Sequence, residues 1–306
     1  MRLMYLAVAC MWLGAIGAGC TDDTPKEIPV WKVEEDPIVL EGDLYPEERD
    51  RAEILTMSDM VLLYGGGHHR TPYAWSAGDL ADYVTYTDTD SRKHWLFDGF
   101  LLLEFMDAGA GGAGKTFVTG YTYEGVALPS ADKSDWQRLI DYYFASGSGV
   151  DALEAAVGAA VADLGAPTAK RRIVIGVPEP IRSLYSSSNS GGTTYWGQLD
   201  GRTLDFSNEE DRAAACKWYV DCVRERFHAK NYRYVELAGF YWVAEKSTQS
   251  REILPPLSDY LAERKYSFEW IPYFNADGYT QWASFGFSHA YLQPNYFFNE
   301  SVPYSR

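Results

Sequence analysis

Six short apolar runs, each followed by a stretch with other character, constrain the fold of this chain more than any other feature. They are MVLLY (residues 60–64), GFLLLE (99–104), RIVIGVP (172–178), YVELAGFYW (234–242), FEWIPYF (268–274) and HAYLQ (289–293). Their near-continuous apolar character is that of strands buried on both faces of a parallel sheet, whereas half-exposed strands alternate. Helical period fills several of the gaps. DWQRLIDYYF places Trp136, Leu139, Ile140 and Tyr143 on one face, VDALEAAVGAAVADLG ends at Gly165 as a C-cap, and SNEEDRAAACKWYVDCVRERF opens with a Ser207/Glu210 capping box. A further helix is expected within REILPPLSDYLAER, ahead of the fifth strand. Strand alternating with helix gives an α/β architecture joined by right-handed crossovers.

An open doubly wound sheet and a (β/α)8 TIM-type barrel both fit this pattern. The strand ends decide between them. Glu104, Glu179, Glu245, Asn275 and Asp277, and Gln293 and Asn295 follow successive strands, while His68 and His69 follow the first. A barrel gathers such groups around one mouth, and an open sheet spreads them along a line. No strand opens into a G-x-G-x-x-G helix. The expectation is therefore a TIM-type barrel. Six βα units use the chain up to about residue 295, and two more would need roughly 60 further residues. The barrel is thus expected to be incomplete at its C-terminus, unless VWKVEEDPIVL near the N-terminus supplies strands.

One stretch pulls toward a different function. GAGGAGKT, Gly109 to Thr116, matches the phosphate-binding pattern G-x-x-x-x-G-K-[ST]. That chemistry needs a helix leaving the loop, whose N-terminal N–H groups hold the phosphates. The residues after Lys115, TFVTGYTYEGVALP, have β-branched and aromatic side chains, two glycines, a proline and no amphipathic period. No nucleotide is expected, and no motif calls for a cofactor.

Arg2 followed by LMYLAVACMWLGAIGAG and Cys20 reads as a lipoprotein signal peptide over residues 1–20, with Cys20 the lipidated residue. Gly17 stands where such signals usually carry Leu. Polar TDDTPKEIP begins a tether over 21–45, and 46–306 is read as the barrel domain. The destination is the outer membrane or cell surface, through a lipid anchor. A net charge of −16 argues against nucleic acid as a partner. Cys216 and Cys222 lie six residues apart on one helix, a rise of about 9 Å, which is beyond disulfide reach. They are expected to be buried thiols, and no metal-ligand spacing accompanies them.

Hydrolysis of a glycosidic bond needs two carboxyl groups flanking one oxygen. Glu245, just past a strand and after Tyr241 and Trp242, fits the proton donor, and Glu179, held between Pro178 and Pro180, fits its partner. Glu104 is a third carboxylate at a strand end. His68, His69, Asn275, Asp277 and Asn295 are expected to contact substrate hydroxyls, with Trp196 and Trp242 offering flat faces to sugar rings. No G-x-S-x-G elbow supports a serine hydrolase.

YGGGHHRTPYAW, FDGFLLLEF, IVIGVPEP, YWGQLDGRTLDFS, GFYWVAE, WIPYFNADGY and AYLQPNYFF together resemble the bacterial family called domain of unknown function 4855, from about residue 58 onward. The resemblance implies a likeness to glycoside-hydrolase barrels, and to surface lipoproteins of Bacteroidetes, which the acidic Asp22 and Asp23 after the cysteine also resemble. It brings no established catalytic residues. The expectation is a cell-surface lipoprotein acting on polysaccharide, most plainly as a glycoside hydrolase using a carboxylate pair. The alternative is a non-catalytic glycan-binding lipoprotein with a degenerate barrel.

Overall fold

A computed structural model describes residues 44–64, 74–107, 114–123, 125–182 and 195–295. Cys20, His68 and His69, the signal and most of the tether lie outside the described residues. Each of the six apolar runs forms a strand. These are β1 (Met60–Tyr64), β2 (Gly99–Leu103), β3 (Arg171–Val177), β4 (Val235–Trp242), β5 (Ser267–Trp270) and β6 (His289–Ala290). They hydrogen-bond in chain order, every pair parallel, into one six-stranded curled sheet.

Sequential order excludes the doubly wound alternative, because that fold reverses direction from its middle. It does not make a closed barrel. Among the described residues β1 pairs only with β2, and β6, two residues long, pairs only with β5. Closure needs the last strand to hydrogen-bond to the first at a matching stagger. The expected (β/α)8 TIM-type barrel is therefore corrected to a mixed α/β fold with an open, curled half-barrel sheet. The strand-end argument failed because a singly wound curled sheet gathers its strand ends just as a barrel does.

The helices are α1 (Pro46–Asp50), α2 (Ala77–Val84), α3 (Lys133–Tyr143), α4 (Gly149–Leu164), α5 (Glu209–Lys230) and α6 (Leu254–Glu263). Apolar residues of α2 to α6 pack with Phe100, Leu102, Ile173, Ile175, Phe240, Trp242, Phe268 and Trp270 into one large core on the outer face of the sheet. The intervening strand residues face the other way. There Leu101, Leu103, Val174, Tyr241 and Val243 form a smaller apolar cluster. Both faces are thus apolar, which is why the strands read as continuous runs. Gly165 ends α4 with φ 72°, a conformation glycine enters freely. The start of α5 is shifted from expectation: Asn208, not Ser207, is the N-cap, its side chain accepting from the Glu210 N–H at 2.9 Å. Cys216 and Cys222 are free and buried on α5, and burial pushes the Cys216 thiol up to about 12.

The Gly-rich loop does not lead into a helix. Lys115–Thr116 pairs antiparallel with Met106–Asp107, so the chain after the loop is a strand and not the helix whose N-terminal N–H groups hold phosphate in such motifs. Lys115→Ala is expected to change unfolding free energy by less than about 0.5 kcal/mol. Calorimetric titration with ATP should show no binding to either form, and saturable binding lost in the variant would restore the phosphate-loop reading.

Candidate functional site

β3 and β4 run side by side, with Gly176 opposite Tyr241 and Val177 opposite Trp242. The chain leaves β3 as Pro178-Glu179-Pro180 and leaves β4 as Val243-Ala244-Glu245. Matched register brings the two carboxylates to the same end of the sheet. Glu179 and Glu245 line one cleft of about 220 Å³, also bordered by Phe105, Thr119, Tyr121 and Tyr273.

Glu179 is nearly fully buried, at 2% exposure. Its Oε2 accepts from the Thr119 backbone N–H at 2.7 Å, and its Oε1 accepts from the Ser250 hydroxyl at 2.8 Å. The backbone is fixed as well, since the Glu179 N–H donates to the Phe117 carbonyl at 2.8 Å. Beneath it lies Arg212 of α5, fully buried, donating from Nε to the Pro180 carbonyl at 2.8 Å and from Nη1 to Glu209 at 2.7 Å. Burial draws the Arg212 guanidinium down, and the charge of Glu179 works against that. Three segments distant in sequence, through Thr119, Arg212 and Ser250, thus hold Glu179 and its backbone.

Glu245 is half-buried, with Val243 and Ala244 before it and Lys246 after it on the same wall. Its charge reaches Tyr241, whose phenol is pushed well up, by burial first and by Glu245 second. Glu179 is thus fixed by the Thr119 N–H and the Ser250 hydroxyl, and Glu245 borders the same cleft half-buried, with Tyr241, Val243, Ala244 and Lys246 around it.

The remaining predicted contacts disperse. Glu104 is buried at the end of β2, and its charge adds to the burial and the Tyr219 charge that raise the Tyr143 phenol of α3. Trp196 is 1% exposed and packs edge-on against Trp136 of α3 and Trp218 of α5, with ring centroids 5.2 and 5.4 Å away. Trp242 is 0% exposed and belongs to the core under the helices. Neither indole has a face for a sugar ring, which corrects their reading as stacking platforms. Asn275 is exposed, with a left-handed φ of 64°. Asp277 is exposed too, and its carboxyl is lowered chiefly by the hydrogen bond from Arg251. Its carbonyl accepts from the Ser247 N–H and hydroxyl, both at 2.9 Å, so it organises the loop after β5. Asn295 accepts from the Gln293 amide at 2.6 Å beside the sheet edge. Neither Asp277 nor Asn295 lines the cleft.

A carboxylate that the sequence reading passed over lies within β5. Glu269 is 0% exposed, opposite Tyr241 on one side and His289 on the other. Its Oε1 lies 3.1 Å from the His289 Nδ1. The Tyr291 phenol is raised by burial first and by the Glu269 charge second. The signal was present in FEWIPYF: a glutamate between two residues of the outer core must point to the other face. Among the described residues, no group of three His, Cys, Asp or Glu side chains is placed to hold a metal ion.

The family model described as "Domain of unknown function (DUF4855)" covers residues 59–306. No curated protein and no solved structure matches the chain.

Proposed function

The chain belongs to the DUF4855 family, whose description carries no activity, and from the geometry of the cleft we propose that it acts on polysaccharide as a glycoside hydrolase. The observation that supports this is the placing of Glu179 and Glu245 on one cleft by the paired ends of β3 and β4. In the proposed reaction Glu245 gives its proton to the glycosidic oxygen as the carbon–oxygen bond breaks. Glu179, whose two oxygens already accept hydrogen bonds from fixed donors, suits the role that stays in place: attacking the anomeric carbon or drawing a proton from water. A cleft of about 220 Å³ has room for a single sugar ring, less than the ~300–1,000 Å³ of pockets that surround a drug-sized ligand. The rest of the glycan would lie outside it, along the exposed aromatics Phe274 and Tyr291. The alternative, a glycan-binding protein without chemistry, relied on Trp196 and Trp242, and their burial takes that support away.

The test is a panel of plant, algal and host glycans incubated with the full-length protein, with released oligosaccharides detected by mass. Release from at least one glycan is expected. Saturable binding with no product from any panel member would replace the hydrolase reading with the binding one.

The proposal places the enzyme at the cell surface, held in the outer membrane by a lipid on Cys20, supported by the apolar run ending in IGAGC. Among the described residues no helix is long and apolar enough to cross a membrane. Cys20→Ala is expected to move the protein from the membrane fraction to the soluble one, with loss of the diacylglycerol mass. A variant that stays in the membrane fraction with that mass intact contradicts the anchor.

A further inference from the structure

At the opposite end of the sheet, where β1, β2 and β3 begin, lies a second and larger cavity of about 500 Å³. Its wall includes Arg171, the first residue of β3, which is 6% exposed. The guanidinium carbon sits 4.6 Å from the centroid of the Trp95 ring, so one face of the cation is stacked. The Nε is buried and has no hydrogen-bond partner among the described residues. No carboxylate among the described residues lies within ion-pair distance of this guanidinium, in a chain with 43 acidic and 27 basic side chains.

The neighbouring charges are accounted for. Lys170 donates to the Tyr232 carbonyl at 3.1 Å, and Arg172 lies 3.7 Å from Glu236. Asp98 is the acid whose field reaches Arg171, but its oxygens accept from the Ser58 and Asp59 N–H groups at 3.0 and 2.9 Å. A buried cation without a paired anion is costly. Stacking orients the planar fork without satisfying its donors.

We propose that this cavity is a binding site for a small molecule carrying one oxyanion, a carboxylate or a phosphate, with Arg171 as its anchor. The guanidinium fork matches two acceptor oxygens of such a group, and Lys170 and Arg172 at the rim add attraction. Asp59 and Asp98 on the same wall restrict the charge to one end of the ligand and favour hydroxyl donors at the other. An acidic sugar or a sugar phosphate has that distribution.

Calorimetric titration of the full-length protein with glucuronate, glucose 6-phosphate and neutral glucose tests this. At least one of the two anionic probes is expected to bind, with glucose at least ten-fold weaker. The tighter binder of the two identifies the preferred oxyanion. Arg171→Gln should abolish the binding, and Arg171→Lys, which keeps the charge but not the fork, should weaken it at least ten-fold. Should Arg171→Gln not fold, Ala169→Trp at the exposed mouth of the cavity serves in its place and should block binding while leaving glycan turnover at wild-type level. That separation distinguishes this site from the Glu179–Glu245 cleft. Absence of binding by both anionic probes, or binding that survives Arg171→Gln or Ala169→Trp, overturns the proposal.

Discussion

Glu48→Ala is expected to lower the free energy of unfolding by about 3–5 kcal/mol, the scale of breaking a buried ion pair by removing one partner. Glu48 lies in the five-residue helix α1 and is 0% exposed. Arg224 of α5, 3% exposed, grips it with two donors: Nε to Oε1 at 2.8 Å and Nη2 to Oε2 at 2.7 Å. The Tyr266 hydroxyl donates to Oε1 at 2.5 Å, and His228 Nε2 lies 3.6 Å from the same oxygen. Tyr45 stacks on the His228 ring at 3.8 Å, and Arg51 reaches the Leu237 carbonyl of β4 at 2.6 Å. This short segment is therefore pinned to α5, to β4 and to the start of β5. Truncation takes the Glu48 carboxylate from Arg224, whose Nη1 keeps its bond to Asp221 at 2.7 Å. The double variant Glu48→Ala/Arg224→Leu should regain part of the loss, because it also removes the buried cation that Glu48 neutralised. Denaturant titration measures both, and a loss below about 1 kcal/mol in the single variant would contradict the pinning role.

The same network sets a pH window. Burial pushes the Glu48 carboxyl up, but the hydrogen bonds from His228, Arg224 and Tyr266 overturn that and hold it at about 2, against 4.5 for a free glutamate. A folded-state value below the unfolded one means that stability from this group is complete above about pH 4.5. It is lost progressively as the pH falls toward about 2. The stability difference between wild type and Glu48→Ala should therefore narrow through that range and stay constant above it.

Almost none of this clamp was legible in the sequence. Glu48 and Arg224 are 176 residues apart, and a five-residue helix has too few positions to show a period. The sheet was legible for the opposite reason. Burial on both faces leaves a local mark, a continuous apolar run, and each of the six runs carries it. Boundaries slipped where the chain bends away: the strand at FEWIPYF (268–274) is Ser267–Trp270, so it starts one residue earlier and ends at Trp270. Closure was not legible at all, because whether the first strand meets the last depends on curl and stagger, which no single segment encodes. In the site, Glu179 and Glu245 were found because a strand end is a local landmark. Thr119, Ser250 and Arg212, which hold Glu179, were missed because each lies in a different segment. Trp196 was misplaced because its glycine-flanked surroundings read as an exposed connection. The chain there is a hairpin, Tyr195–Leu199 with Arg202–Asp205, whose indole inserts between α3 and α5.

The second large effect concerns Glu245. It stands just past β4, half-buried on the cleft it shares with Glu179, where it is proposed to protonate the departing glycosidic oxygen. Glu245→Gln keeps the shape of the side chain and removes the proton. A general acid contributes roughly 10²–10⁴-fold to rate, so turnover of the glycan found by the panel should fall by about 100-fold or more. Binding of that glycan should persist within a few-fold, since the amide still fills the site. Dinitrophenyl glycosides, whose leaving group departs without protonation, should lose far less in the bond-breaking step. That contrast separates lost chemistry from a damaged fold, which would slow both substrates alike.

The most direct measurement is therefore the ratio of wild-type to Glu245→Gln kcat/KM, which reports the bond-breaking step, taken side by side on the natural glycan and on its dinitrophenyl glycoside with the full-length protein. A ratio of about 100 or more on the glycan, with a much smaller one on the activated substrate, is the predicted result. Wild-type turnover of the natural glycan by Glu245→Gln, or equal losses on both substrates, would contradict the assignment of Glu245 as the acid of the cleft.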